Sequence, residues 1–436
     1  MVHDRPKHLY RKRDNKRVDT NAEKPSAHTE HSASSVTWRV GAMAFFGGIG
    51  GGVVFPILPV LGERMGLSAL VIGIILGANR MVRMVVNPIT GSLTDRFGGR
   101  EVIAAGLFIE GLGSLGYIMA LHLPHPALWF LIGRIIWGVG SSLLFVGAIA
   151  AVLALSGSRG RGRMVARTRS AISLGVPAGL VLGGLLTDLV NADAAFITAT
   201  VLSVGAGFAT LATIPRRSRM PARAIPPPTP GISSFRHWLA ILSERRLIGI
   251  WFYTALVFFC YGGVLLATLV VLIGQRHMLV PGLAAEGSAG LLMCAMVLSY
   301  AGASLLIGRR IDDLGWRTTT LLPAIATLIA GFILCAFAAN LGWLILALVL
   351  IGAGAGSVTV PLLTLLGDLV SFERRGRATG LYQVSADTGS AAGAILGLVL
   401  GARYGFTATY LSLAGIFILS LPMAWVLIRA ERRHKR

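Results

Sequence analysis

Apolar residues fill this chain in continuous blocks of about 20, the length that carries a helix across a bilayer, and short polar stretches part the blocks. The blocks run apolar throughout rather than alternating, so the pattern predicts spanning helices and not the strands of a barrel. Twelve helices are predicted, near 38–61, 69–94, 101–122, 127–154, 165–189, 193–214, 247–274, 286–308, 318–339, 342–368, 378–402 and 406–429. A polar linker at 216–246 separates the first six, 38–215, from the last six, 247–430. It contains RRSRMPARAIPPPTPG, and its proline run excludes helix and predicts a stiff, exposed connector. Residues 1–37 carry no apolar stretch and read as a disordered basic tail, with a second short basic tail at 431–436.

The polar breaks are not equivalent. Counted with the N-terminus inside, the inner loops carry RKRDNKR, DRFGGR, SRGRGR, RRSRMPAR, ERRGR and RAERRHKR. Histidine aside, the outer loops carry as bases only Arg64, Arg276 and Arg403. That asymmetry predicts that both termini are cytoplasmic. Composition agrees with a membrane protein, since only 14% of residues are charged and 54% are hydrophobic, against about 25% charged in soluble domains. The formal net charge of +21 would point to nucleic acid in a soluble chain. Here the bases are parcelled among short loops, so no nucleic-acid partner is expected.

Several chemistries are excluded. Cys260, Cys294 and Cys335 each lie within an apolar run and read as small buried hydrophobes, not as a metal site or disulfide framework. No lysine occurs between Lys24 and Lys435, so a phosphate-binding loop with its lysine cannot exist. No stretch is long enough for a soluble ATPase domain, and no Ser/His/Asp set converges. The chain is therefore not expected to be an enzyme or to hold a cofactor; a gradient, most simply of protons, is the expected energy source.

The chain also repeats itself. GSLTDRFGGR at Gly91–Arg100 returns half a chain later as GRRIDDLGWR at Gly308–Arg317. GRMVARTRSAISLGVPAG at Gly162–Gly179 returns at a near-equal offset as GRATGLYQVSADTGSAAG at Gly376–Gly393. Six helices have been duplicated, which predicts two pseudo-symmetric halves about an axis normal to the membrane, with a site between them near the midplane. The repeated acids and glycines suggest a latch. Asp95, at the inner end of helix 2, can dock on the positive N-terminus of helix 11, with Gly91 and Gly98 permitting close approach and Arg96 and Arg100 pairing nearby. Gly308, Asp312, Gly315 and Arg317 would do the same against helix 5, though Asp313 replaces the first copy's arginine.

GSLTDRFGGR resembles the loop signature between helices 2 and 3 of the major facilitator superfamily, and GRRIDDLGWR resembles its weaker echo. Arg134-Ile-Ile-Trp-Gly138-Val-Gly140 is similar to that superfamily's helix-4 motif, and the resemblance covers roughly 38–430. Gly175, Pro177, Gly179, Gly183 and Gly184 look like a degraded form of its exporters' helix-5 motif, with Val176 separating the usual Gly-Pro pair. The resemblance implies an all-α integral membrane protein of twelve transmembrane helices in two six-helix pseudo-symmetric halves. It also implies a monomeric transporter of the bacterial inner membrane, with a small-molecule substrate and membrane lipids as partners.

Five charges lie deep within predicted helices, where charge is costly and is functional or paired. Arg80 and Arg83 share one face of helix 2, and Glu110, Arg134 and Asp387 lie in helices 3, 4 and 11. In the superfamily resembled, helices 2 and 11 face each other, so Arg83 is expected to pair with Asp387 across the halves, or else with Glu110 within one half. Arg134 either orients substrate or bonds carbonyls of neighbouring helices. Asp188 is expected at the membrane interface. Phe45, Tyr253, Tyr261 and Thr359 are candidate cavity walls. Three functions compete: proton-coupled export of amphipathic compounds by alternating access, transport of an organic anion by the helix-2 arginines, and a non-transporting receptor, which would need no latch.

Overall fold

The computed structural model describes residues 27–155, 161–216, 245–311, 317–370 and 375–435. Six helices come first: α1 (Ala27–Arg64), α2 (Ala69–Phe97), α3 (Gly99–His122), α4 (Pro126–Leu155), α5 (Arg161–Leu189) and α6 (Ala192–Thr213). The second set opens with α7 (245–275), followed by α8 (Ala285–Arg310), α9 (Leu321–Phe337) and α10 (Leu341–Leu369). The helical run Arg375–Lys435 is broken at Gly405, whose φ of 80° reverses the chain, and so divides into α11 (375–404) and α12 (406–435). No strand occurs among the described residues.

Short local signals set the boundaries. Ser68 caps α2, Asn191 caps α6 and Asn340 caps α10, each side chain accepting a backbone N–H of the first turn. Between α2 and α3 a single residue, Gly98, turns the chain at φ 95° while its N–H closes on Thr94 O, a conformation open to glycine. Three features depart most from the sequence reading. α1 starts at Ala27, so 27–37 are helix rather than tail. α12 continues through Lys435, because Glu431 is held at the start of the α9 segment by Thr318 N–H and Oγ1 at 2.8 and 2.6 Å. Within α7, Phe258–Leu265 winds as a π-helix, a form that the apolar pattern does not signal.

The first six helices pack as one body and the last six as another. In the first, α1 lies backbone-on-backbone against α5: a Cβ at Gly175 would stand 2.4 Å from Phe45 O, one at Gly179 2.1 Å from Ile49 O, and one at Gly183 2.5 Å from Val53 O. Small residues spaced four apart allow this contact, and dispersion, not the hydrophobic effect, holds it in lipid. α3 and α4 meet the same way, through Gly106, Gly113, Gly133 and Gly140. In the second body Gly389, Gly393 and Gly397 of α11 seat the backbone of α7.

Two helix pairs form the close backbone contacts between the bodies. α2 meets α11, where Gly73 abuts Ile395 and Gly77 abuts Ala391. α5 meets α8, where a Cβ at Gly184 would stand 2.3 Å from Glu286 O and one at Gly290 2.3 Å from Leu180 O. Calling the end that carries the α2–α3 turn the basic face, all these approaches lie toward the opposite face. Gly91, near the basic face, meets nothing within 4 Å of its Cβ position.

Candidate functional site

The centre of the bundle holds a three-residue charge cluster that spans the two bodies. Arg80 Nη1 lies 3.4 Å from Asp387 Oδ1, and Arg83 Nη2 lies 3.4 Å from Asp387 Oδ2. One carboxylate thus divides its oxygens between two guanidiniums one helical turn apart on α2. Asp387 also accepts Gln383 Nε2 at 3.3 Å, from one turn back on α11. The carboxylate side chain is 1% exposed and the arginines 20% and 17%, so the acid is sealed while its partners reach solvent-accessible space. Two cations face one anion, and the cluster carries an unmatched positive charge.

Glu110 on α3 is the second deep carboxyl. It is fully buried, and neither oxygen has a hydrogen-bond partner. α1 passes it with a glycine; a Cβ at Gly47 would stand 2.7 Å from Oε2. Arg83 is near enough to act on it electrostatically, but it is Asp387 that the guanidinium contacts. Of the two pairings open to Arg83 from sequence, the structure has the one across the bodies.

Arg134 is not part of a cavity wall. It is fully buried, donates from Nε to Ile75 O at 3.3 Å and from Nη2 to Leu76 O and Asn79 Oδ1 at 3.0 and 2.8 Å, and lies between the rings of Phe55 and Trp137. It ties α4 to the carbonyls of α2 just before Arg80, and so holds the segment that carries the cluster. Tyr253 also departs from the expectation. Its ring is buried and its hydroxyl donates to Ser420 O at 2.6 Å, joining α7 to α12 away from the centre.

Tyr261 does face the interior, where it stacks on Tyr300 of α8 with ring centroids 5.1 Å apart and planes at 17°. Tyr300 and Thr359 share a hydrogen bond of 3.0 Å, and Tyr382 donates to Thr359 O at 3.3 Å. Tyr261, Tyr300, Tyr382 and Thr359 form an aromatic, hydroxyl-bearing wall contributed by α7, α8, α10 and α11. The π-helical turn of α7 carries Tyr261 into it. Tyr300 and Tyr382 escaped the sequence reading because one tyrosine in an apolar helix has no signature of its own. Phe45 is half-buried, edge-on to Phe46 at 5.6 Å.

The repeated loop motif is only partly described. Asp312 and Gly315 lie outside the described residues, as do the side chains of Asp95 and Arg317. Arg96 stacks over Phe97, 5.1 Å from its ring centre. Arg100 pairs with Glu101 at 3.2 Å and donates to Leu211 O, so it closes the C-terminus of α6. Gly308 is loosely packed, its Cβ position 3.9 Å from Val360. The helix-5 motif divides by partner: Gly175, Gly179 and Gly183 seat α1, Gly184 faces α8, and Pro177 lies within the helix between them.

Comparison with known proteins places this geometry. A family model described as Major Facilitator Superfamily matches residues 40–285 and 278–436. The uncharacterized MFS-type transporter YhhS of Escherichia coli is 26% identical over 404 residues, covering 88% of this chain and 90% of that one. The class G tetracycline resistance protein of Vibrio anguillarum is 30% identical over 379 residues, 84% of this chain and 88% of its own. Among solved structures, a bacterial homolog of the human lysosomal transporter Spinster, inward-facing and occupied, superposes with a TM-score of 0.73 at 14% identity over 91% of this chain and 96% of that one.

Proposed function

The chain belongs to the major facilitator superfamily and is a multi-pass membrane transporter, not an enzyme; on that premise we propose that it exports amphipathic small molecules by alternating access, driven by protons. The observation that carries this reading is the Arg80–Asp387–Arg83 cluster. It ties the two bodies together at their centre, beside the tyrosine wall. A proton or substrate that engages Asp387 competes with the guanidiniums for the same oxygens, and loosens the tie between the bodies. That is differential interaction with two states, the condition for a ligand to shift an alternating equilibrium. Glu110 is the second proton-binding position, because a proton taken up there neutralises a buried group that has no partner. Similarity to a tetracycline resistance protein supports export, since a transporter confers resistance by keeping a compound out of the cell. The positive-inside pattern supports a cytoplasmic basic face and cytoplasmic termini. Closure at the opposite face then corresponds to a state closed to the outside.

The unmatched cation supports a second reading, transport of an organic anion whose acidic group meets Arg80 or Arg83. Both readings meet in one experiment: proteoliposomes with an imposed pH gradient, loaded with cationic dyes or with aromatic carboxylates. Proton-driven dye movement that is lost in Asp387→Asn, and uncoupled from pH in Glu110→Gln, supports export of amphipathic compounds. Carboxylate movement that is lost in Arg80→Ala and survives Asp387→Asn overturns it in favour of the anion.

A further inference from the structure

The start of α8 lacks the residues that would cap it. The N-cap position is Ala284, with no side-chain acceptor, and the third helical position is Gly287. In a self-capped helix the N-cap side chain accepts the N–H of the third residue, and that residue's side chain accepts the N–H of the N-cap. Here both N–H groups are taken by one oxygen from the other body. Asp188 Oδ2, in the last turn of α5, accepts Ala284 N at 2.8 Å and Gly287 N at 2.9 Å. Gly287 makes room for this; a Cβ there would stand 2.3 Å from that oxygen. Beside it, Arg64 at the end of α1 reaches Glu286 at 3.2 Å, a second contact from the first body onto the same turn. Glu286 is 4% exposed in its side chain and Arg64 66% exposed. Around these contacts the backbones of α5 and α8 touch at Gly184 and Gly290.

We infer that Asp188 is a positioning residue of the transport cycle: it supplies the cap of α8 in trans, and so makes closure of the opposite face and completion of that helix a single event. When α5 and α8 part, two N–H groups and the positive end of the α8 dipole lose their acceptor together. The open state must leave them to water, and the closed state gains the bonds of a full capping box plus a charge–dipole attraction. Arg64 adds to the same closure through Glu286, but its exposure makes it the weaker contact. The inference uses alternating access alone and is independent of the cargo and the driving ion.

The test is the distance between spin labels at Val190→Cys and Leu279→Cys, which flank this contact, in full-length protein in lipid nanodiscs with Cys294→Ala. Asp188→Ala is expected to raise the ratio of long to short distances about 3- to 30-fold, the range of a lost cap with its charge. Asp188→Asn, which keeps an acceptor and loses the charge, falls between Asp188→Ala and the parent. Gly287→Ala, which displaces the carboxylate without removing it, shifts the ratio in the same direction, and serves as the test if Asp188→Ala does not fold. Adding Ala284→Ser to Asp188→Ala supplies a cap in cis. It should restore slow amide hydrogen exchange over 284–288 while the long distances persist. An unchanged distance ratio in Asp188→Ala or Gly287→Ala overturns the inference. So does full recovery of the parent ratio by Ala284→Ser, which would make Asp188 a local cap and nothing more.

Discussion

Two glycines on one helix, five residues apart, are predicted to answer the same methyl group in different ways. At Gly179 an added Cβ would lie 2.1 Å from Ile49 O, and at Gly184 it would lie 2.3 Å from Glu286 O. Ordinary contact begins near 3.4 Å, so the α1–α5 backbones must part by roughly 1.3 Å in the first case and the α5–α8 backbones by roughly 1.1 Å in the second. Helix propensity favours alanine at both by about 1 kcal/mol, and overpacking opposes it by about 1–3 kcal/mol. The difference lies in what each interface joins. α1 and α5 belong to one body, with no second arrangement to relax into, so Gly179→Ala should lower stability by up to about 2 kcal/mol net of the propensity gain. α5 and α8 belong to different bodies, which the proposed alternating access would part. Gly184→Ala should therefore leave the unfolding midpoint near the parent's and shift the closed-to-open equilibrium, by about 5- to 150-fold for 1–3 kcal/mol. Gly205→Ala is the control, since nothing lies within 4 Å of its Cβ position and only the propensity gain remains. Thermal unfolding in detergent reads the first effect, and spin-label distances across the α5–α8 contact read the second. Equal loss of stability in Gly179→Ala and Gly184→Ala, with no conformational shift in the latter, would refute the division of the helix between a static and a moving interface.

The remaining predictions concern residues that the structure moves out of the cavity. Tyr253→Phe removes one buried hydrogen bond to Ser420 and should cost about 1 kcal/mol of stability, with transport per folded molecule unchanged over a range of substrate concentrations. Arg134→Ala removes three hydrogen bonds and a buried charged side chain; it should destabilise the protein by about 3–5 kcal/mol. Residual transport in that variant should show a weakened response to Asp387→Asn, because α2 no longer holds Arg80 and Arg83 in place.

Much of the architecture was legible in the chain itself, for a physical reason: in a bilayer an apolar block of sufficient length has one way to satisfy its backbone, as a helix. The blocks therefore showed the twelve helices, the loop charges their expected orientation, and the repeated Gly-acid-Gly-Arg segments the two halves. Arg80, Arg83, Glu110 and Asp387 were visible because ionised groups are rare inside such helices. The choice between Asp387 and Glu110 as partner of Arg83 was not visible, since both lie at suitable depth and only helix packing settles which carboxylate meets the guanidinium. The same holds for Arg134 and Tyr253. Their residue types suit a cavity wall or a buried tie equally well, and the neighbouring helices decided for the tie. The tyrosine wall needed four helices brought together and a π-turn in one of them. The cap of α8 was invisible for the plainest reason. Its sequence, Ala-Ala-Glu-Gly at 284–287, shows only that no local acceptor exists. That the acceptor is Asp188, nearly a hundred residues away on the other body, is a fact of tertiary structure alone.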